Sequence, residues 1–566
     1  MARPVLDVIH FPMRTLRPVL IAVLLASIAP GRAQNPMAIP PALDQDTFHL
    51  VVDEHVHQFY PGINTNTYGV GAPYLGPTLI LHTGDTAHIQ VQNNLAQVTN
   101  MHWHGLRVPG EFDGGPPREI APGEHWDVKY QVKNPAGTYW YHPHPHELTA
   151  EQANLGVAGF ILVQDDAEAA LDLPRTYGVD DFPVVIQDRR FHPNGDLVFG
   201  PFGDSVLVNG TPDPYLECPA QVVRLRLLNG SNARVYALGF EHGEPINVIA
   251  GDGGMLPDPA TTDRLLLSNG ERAEVLLDLT GMEGDSLLLM SYGSELPATM
   301  PGSSYILWES SALSGIDFPV LRIRVTTPTP DPVTVIPATL VPVEPYEEAD
   351  ASRMRTKVLS GNGMVGMGMF YINGAMFDMA VVNDTVMLGA TEVWTIRNNS
   401  NMAHPMHIHG GSFFILDRNG AVPPAWEQGA KDVALVDAGE EVRVIMRFEE
   451  LSDGWPFMYH CHNLMHEDNM MMLQYIVVDP ITGMGDGPGA EDVSVHPSPA
   501  LETLHFHSGS PVDQAVILDA LGRVIMRSAL THTTMGSLDI AQLPPGMYHL
   551  LLRSNDTFLR RAFMKG

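Results

Sequence analysis

Three short runs in this chain alternate apolar and polar side chains with a period of two, the pattern of a strand that buries one face. They are His88-Ile89-Gln90-Val91-Gln92, Val222-Val223-Arg224-Leu225-Arg226 and Val393-Trp394-Thr395-Ile396-Arg397. Helical periodicity is scarce. With 52 glycines and 47 prolines punctuating short apolar runs, the pattern predicts an all-β protein built from sandwiches.

Each of the three runs leads into an asparagine, Asn93, Asn229 or Asn398, the first sign of an internal repeat. A second element recurs in step: Gly123-Glu124 to Val128, Gly270-Glu271 to Val275 and Gly439-Glu440 to Val444, each opening another apolar strand. Three related β domains are expected. At nine and eleven residues past the asparagine stand His102 and His104 in the first copy and His407 and His409 in the third. The second copy has Leu238 and Phe240 there, so it reads as a spacer whose matching positions serve packing. The expected partition is a signal peptide at 1–33 and domains at 40–167, 175–325 and 346–480. A Pro-Thr linker at 326–345, a Gly-rich linker at 481–490 and a last small module at 491–566 complete it.

Composition narrows the setting. Arg14 and Arg17 precede an apolar run from Val19 to Ala29 that ends in small residues near Ala33, the pattern of an export signal. That run is short for a bilayer span, so no transmembrane anchor is expected and the mature chain is expected to be secreted or on the cell surface, exported through the periplasm. Asp plus Glu number 65 against 32 Lys plus Arg, a formal charge of −33 that repels phosphate backbones and excludes a nucleic-acid partner. Only Cys218 and Cys461 occur, and Cys218 reads as a buried small hydrophobe.

Four histidine motifs stand out: His102-Trp103-His104, His142-Pro143-His144, His404-Pro405-Met406-His407-Ile408-His409, and His460-Cys461-His462 with His466 beyond. On a strand, residues two apart share a face, so each His-x-His pair presents two imidazoles to one site, and eight can converge. Imidazole suits copper. The residue between His460 and His462 points the other way, so Cys461 belongs to a different site. With His404, His466 and the thioether of Met471 it makes a two-histidine, one-cysteine set with a weak axial methionine, the donors of an electron-transfer copper. Pro143 holds the matching place in the first copy, so only the third has such a site.

These motifs, in this order, closely resemble those of the multicopper oxidases, the family of laccases, bilirubin oxidases, ferroxidases and bacterial cuprous oxidases, over most of residues 40–480. The stretch from His460 to Met472 is most similar to the bacterial copper-efflux oxidases. The resemblance implies cupredoxin-like Greek-key sandwiches and four copper ions, one type 1, one type 2 and a type 3 pair. It makes His102 and His407 the type 2 ligands, and His104, His142, His144, His409, His460 and His462 those of the type 3 pair. Partners implied are dioxygen and a small electron donor. Because reducing dioxygen to water consumes protons, carboxylates are needed beside the cluster, and the resemblance points to Asp113 and Glu467. Their plain readings are an Asp-Gly turn and a solvated acid. The functional set is thus Asp113, Glu467 and Cys461 beside the metal ligands.

Other features weigh less. His55-Val56-His57 and His505-Phe506-His507 read as isolated surface or turn pairs, and His146 fits neither site by spacing. Met364, Met367, Met369, Met376 and Met379 could offer thioethers to a cuprous ion or serve as flexible packing. The long Met/His insertion of the copper-efflux oxidases is missing, which favours phenols or aromatic amines as donors. Short strands, a Val495-His496-Pro497-Ser498-Pro499 start, a Leu518-Asp519-Ala520-Leu521-Gly522-Arg523 core and a Leu543-Pro544-Pro545-Gly546-Met547-Tyr548 signal make residues 491–566 resemble the sorting domains of the type IX secretion system, which implies contact with secretion machinery; an accessory β domain is the rival reading. The expected function is a laccase-type oxidase. A dedicated cuprous oxidase, a copper nitrite reductase and a non-catalytic copper carrier are the alternatives.

Overall fold

The computed structural model describes residues 34–304, 311–363, 368–479, 493–519, 524–554 and 557–566. The signal-peptide reading of 1–33 and the linker read at 481–490 lie outside them. The fold is β throughout, with three short α-helices among the described residues, Thr149–Leu155, Asp166–Ala169 and Leu464–Asp468.

Each repeat forms two sheets over a common core. In the first, a sheet of Thr47–Tyr60, Ile63–Val70, Thr86–Asn93 and His125–Gln131 shares its core with a sheet running through Thr78–His82, Gly159–Gln164, Gly137–His142 and His102–His104. The second repeat pairs an eight-stranded with a six-stranded sheet, the third two five-stranded sheets. In all three, the strand ending in the marker asparagine lies between a parallel partner and the antiparallel Gly-Glu strand.

The two sequence markers turn out to hold one another. Asn93, Asn229 and Asn398 are each fully buried, and each donates through Nδ2 to two backbone carbonyls: Gln97 and Ile120, Arg234 and Leu267, Met402 and Val436. Each accepts through Oδ1 from the N–H two residues on, at Leu95, Ser231 and Ser400. The backbone N–H groups of Gly123, Gly270 and Gly439 donate to the asparagine carbonyls, and these glycines sit at φ near +80°, where a side chain is strained. The repeat therefore preserves a turn that closes each sandwich over otherwise unpaired buried backbone groups.

The middle repeat departs from its predicted pattern. Val222–Asn229 is buried on both faces, not one, because buried acids pair with its arginines. Arg224 and Arg226 there meet Glu274, Glu168 and Asp181, and Arg226 also donates to Thr138 of the first repeat. Leu238 and Phe240 pack in the core, as side chains in the histidine positions of a non-ligating copy should.

The C-terminal module, described by itself, is one sheet of five strands, including the long Thr503–Asp519 and Val524–Asp539. Register shifts along that pair curl it around a core containing Leu504, Phe506, Ile517 and Leu550. No helix among the described residues is long and apolar enough to cross a membrane.

Candidate metal centre

Two pairs of short strands carry the histidines. His102–His104 runs antiparallel to Gly137–His142 with His102 opposite His142, and His404–Ile408 runs antiparallel to Phe457–Cys461 with His407 opposite His460. The same register thus operates in the first and third repeats. All eight rings are buried, and they interleave across the two: His102 stacks on His409 at 3.9 Å and His104 on His407 at 3.8 Å.

Ring nitrogens converge in groups. His104 Nδ1 lies 3.3 Å from His142 Nε2 and 3.2 Å from His462 Nε2. His460 Nε2 lies 3.2 Å from His144 Nε2 and 3.1 Å from His409 Nε2. The Nε2 atoms of His102 and His407 have no partner. Nitrogens held about 2 Å from one tetrahedral metal ion stand about 3.3 Å apart, so these spacings match edges of a coordination shell.

The other ring nitrogens are fixed from outside. His102 Nδ1 bonds the Asp113 carbonyl at 2.7 Å, and His407 Nδ1 bonds the Asp432 carbonyl at 2.8 Å. His142 and His460 bond the carbonyls of Pro143 and Cys461. Burial lowers the pKa of every ring, His102 to about 3 and His460 to about 4, helped in several by neighbouring histidines. Rings held neutral in this way offer lone pairs inward, the donor state a metal needs. Copper fits this donor set by ligand type, orientation and spacing.

Cys461 faces away from that cluster. Its Sγ lies 3.4 Å from His404 Nδ1 and 3.5 Å from His466 Nδ1, in a buried trio, while its neighbours His460 and His462 join the two histidine groups. His404 is braced by Ser400 Oγ at 2.8 Å, and Phe370 packs on both His404 and His466. Met471 is buried in the same core as Cys461, and its carbonyl accepts the Cys461 N–H. Cys218 is a free buried thiol in the middle core and joins none of these groups.

The two carboxylates read from sequence both touch the histidines. Asp113 Oδ2 lies 2.8 Å from His409 Nδ1. It sits just before Gly114, at φ +80°, where an added Cβ would strike the Met101 carbonyl; the Asp-Gly turn and the site are one feature. Glu467, on the helix Leu464–Asp468, puts Oε1 3.2 Å from His144 Nδ1 and Oε2 3.3 Å from His460 Nδ1. Burial raises the pKa of both acids well above the usual range.

Sequence reasoning missed Asp432, whose Oδ1 lies 3.1 Å from His104 Nε2, and Arg272, which grips that carboxylate. The only local signal for Asp432 was an acid between Lys431 and an apolar strand; nothing in its spacing resembles a ligand motif. His146 stands partly exposed against Phe377. His55 and His57 lie on Thr47–Tyr60, His57 against Phe59, and His505 and His507 lie on the C-terminal sheet. Met369, Met376 and Met379 are exposed; Met364 and Met367 lie outside the described residues.

Comparison with known proteins gives a consistent pattern. A family model described as multicopper oxidase matches residues 52–168, a second of that description matches 347–480, and a secretion system C-terminal sorting domain matches 494–565. The chain is 34% identical over 433 residues to multicopper oxidase mco of Staphylococcus haemolyticus, covering 75% of this chain and 86% of that one. It is 34% identical over 477 residues to cell division protein FtsP of Escherichia coli, covering 81% and 96%. A solved laccase-like multicopper oxidase CueO from Ochrobactrum sp. superposes with a TM-score of 0.70 at 35% identity, over 78% of this chain and all of that one. McoA multicopper oxidase from Aquifex aeolicus gives 0.70 at 31% identity, over 79% and 99%.

Proposed function

Since the chain belongs to the multicopper oxidase family, we propose that it is a working oxidase that couples one-electron oxidations of a small donor to reduction of dioxygen to water. Its C-terminal module is a type IX secretion sorting domain, which directs export to the cell surface or beyond. Passage through the periplasm and contact with secretion machinery belong to the same proposal, as does the partition into three cupredoxin-like domains.

One observation carries the reading: Cys461 stands in a trio with His404 and His466, while the residues on either side of it reach two other histidine groups. Copper bound at these groups supplies one-electron chemistry at the first and multi-electron chemistry toward dioxygen at the others. We assign His404, Cys461, His466 and Met471 to a type 1 ion, and His102 and His407 to a type 2 ion. His104, His142 and His462 on one side, and His144, His409 and His460 on the other, are assigned to a type 3 pair. The backbone of Cys461 gives a short covalent route between the two regions. Asp113 and Glu467, their pKa raised by burial and their oxygens beside the outward nitrogens, are placed to hold protons for water formation.

The presence of both histidine trios favours this over a nitrite reductase, which needs no such pair, and the covalent route favours it over a carrier, which has no use for one. The FtsP relatives, named for cell division, show why turnover has to be measured. For the donor we favour phenols or aromatic amines, since the CueO relative from Ochrobactrum sp. is described as oxidising lignin model compounds. Cu(I) at the exposed Met369, Met376 and Met379 is the second reading. The test is oxygen uptake by copper-loaded protein with a phenol, Cu(I) and Fe(II) in turn. Uptake with at least one donor is expected, lost together with the blue absorption in Cys461→Ser. Uptake retained by that variant overturns the assigned entry route, and nitric oxide from nitrite without uptake overturns the oxidase.

A further inference from the structure

Seven of the eight clustered histidines keep Nδ1 outward and turn Nε2 to the cluster; His104 alone does the reverse. A neutral imidazole carries one proton, so whatever accepts from Nε2–H decides that the Nδ1 lone pair faces in. For His104 that acceptor is Asp432 Oδ1, at 3.1 Å.

Asp432 is itself held with unusual completeness. Arg272 donates Nη1 to Oδ1 at 2.7 Å and Nη2 to Oδ2 at 2.6 Å, a two-point grip. The other three N–H groups of that guanidinium are also taken, by the carbonyls of Thr138, Gly270 and Asp252, so the arginine has one orientation. Thr138 belongs to the first repeat, Arg272, Gly270 and Asp252 to the second, and Asp432 to the third. Asp252 also pairs with Lys431 at 2.9 Å, tying the charged set together.

The backbone beside His104 closes tightly on this pair. The residue after His104 is Gly105, at φ +84°, and a Cβ there would come 2.3 Å from Asp432 Oδ2 and 2.8 Å from Arg272 Nη2. A Cβ on Gly270 would sit 3.0 Å from the His462 ring. Two glycines, from two repeats, thus mark the approach of the ion pair to the histidines.

We propose that Asp432 and Arg272 are positioning residues: the guanidinium of the middle repeat orients the carboxylate of the third, which selects the nitrogen that His104 of the first presents to the cluster. The inference rests on the copper reading above and gives the middle repeat a part in the metal centre. Losing the grip frees His104 to turn, which disturbs the coupled pair of ions it helps to hold and leaves the Cys461 site alone.

The test compares copper-loaded Asp432→Asn and Arg272→Lys with Asp188→Asn, which breaks a comparable buried ion pair to Arg234 elsewhere in the middle repeat. Two bridged Cu(II) ions cancel one another's EPR signal, so about half of four bound ions are visible when the pair is intact. In Asp432→Asn the visible fraction is expected to rise above about one half while the blue absorption stays. Arg272→Lys, which keeps the charge but not the two-point grip, should shift it in the same direction by less. Asp188→Asn should lower the melting temperature without moving the fraction. An unchanged fraction in Asp432→Asn, or an equal rise in Asp188→Asn, overturns the proposal. Wild-type protein that takes up no copper would instead bring down the copper reading on which it stands.

Discussion

At the residue scale, the histidines and Cys461 were legible because strand alternation converts spacing into direction, and direction into site membership. Asp432 and Arg272 were not, because their contacts join three repeats and no local spacing encodes them. Asp113 falls between: its turn was plain from Asp-Gly, while its reach to His409 Nδ1 at 2.8 Å depends on a ring brought from 296 residues away. Burial pushes its carboxyl pKa well above the usual range, and a copper ion bound at the proposed cluster, as a nearby positive charge, would work in the opposite direction. Asp113→Asn keeps shape and hydrogen bonding but cannot release a proton. Turnover should fall by about 10²–10⁴-fold while reduction of the blue site by the donor stays near the wild-type rate. Stopped-flow traces that show unchanged reoxidation would remove Asp113 from the proton path.

At the element scale, the markers that revealed the repeat also explain it. A buried asparagine binding two carbonyls and one N–H does the work of a short piece of backbone, so replacing it strands three polar groups. Asn398→Ala should cost about 2–4 kcal/mol, since a buried unsatisfied group costs about 1–3 and three are partly relieved by relaxation. Asn229→Ala, which loses the same two carbonyls and one N–H but not the Ser400 hydroxyl that Asn398 also accepts from, should cost about as much, yet only the Asn398 change sits ahead of histidines and should lower copper uptake. Chemical denaturation and metal analysis on both variants separate the effects; equal loss of copper from the two would mean that the turn does not set the ligand strands. The predicted half-buried face of Val222–Asn229 failed for an element-scale reason. Alternation reports polarity, and Arg224 and Arg226 are polar residues whose charge is met by Asp181 and Glu274 of their own repeat and by Glu168 just before it, so they are buried all the same.

At the scale of the whole molecule, ten histidines lie buried in the two metal regions, all with lowered pKa, to about 3 for His102 and His466 and about 4 for His460. An unfolded chain titrates them near the ordinary 6.5, so between about 3 and 6.5 it binds protons that the folded chain refuses. Their contribution is therefore whole above 6.5 and is lost as the pH falls through that window. Five buried carboxyls oppose the trend: Asp113 and Glu467 are raised well above their ordinary range, Asp180 is raised, and Asp432 is raised to about 6 and Asp468 to about 7. These acids hold protons when folded that the unfolded chain releases, so their contribution declines as the pH rises. Ten groups outweigh five, and the metal-free protein should melt at progressively lower temperature from pH 7 to pH 5. Copper held as proposed would bind the same neutral rings, so it should raise the melting temperature most at neutral pH and lose that advantage as protons compete. Calorimetry of both forms across this range decides the matter: a metal-free melting temperature that is flat or climbs on acidification would mean that the rings are not held neutral by the fold.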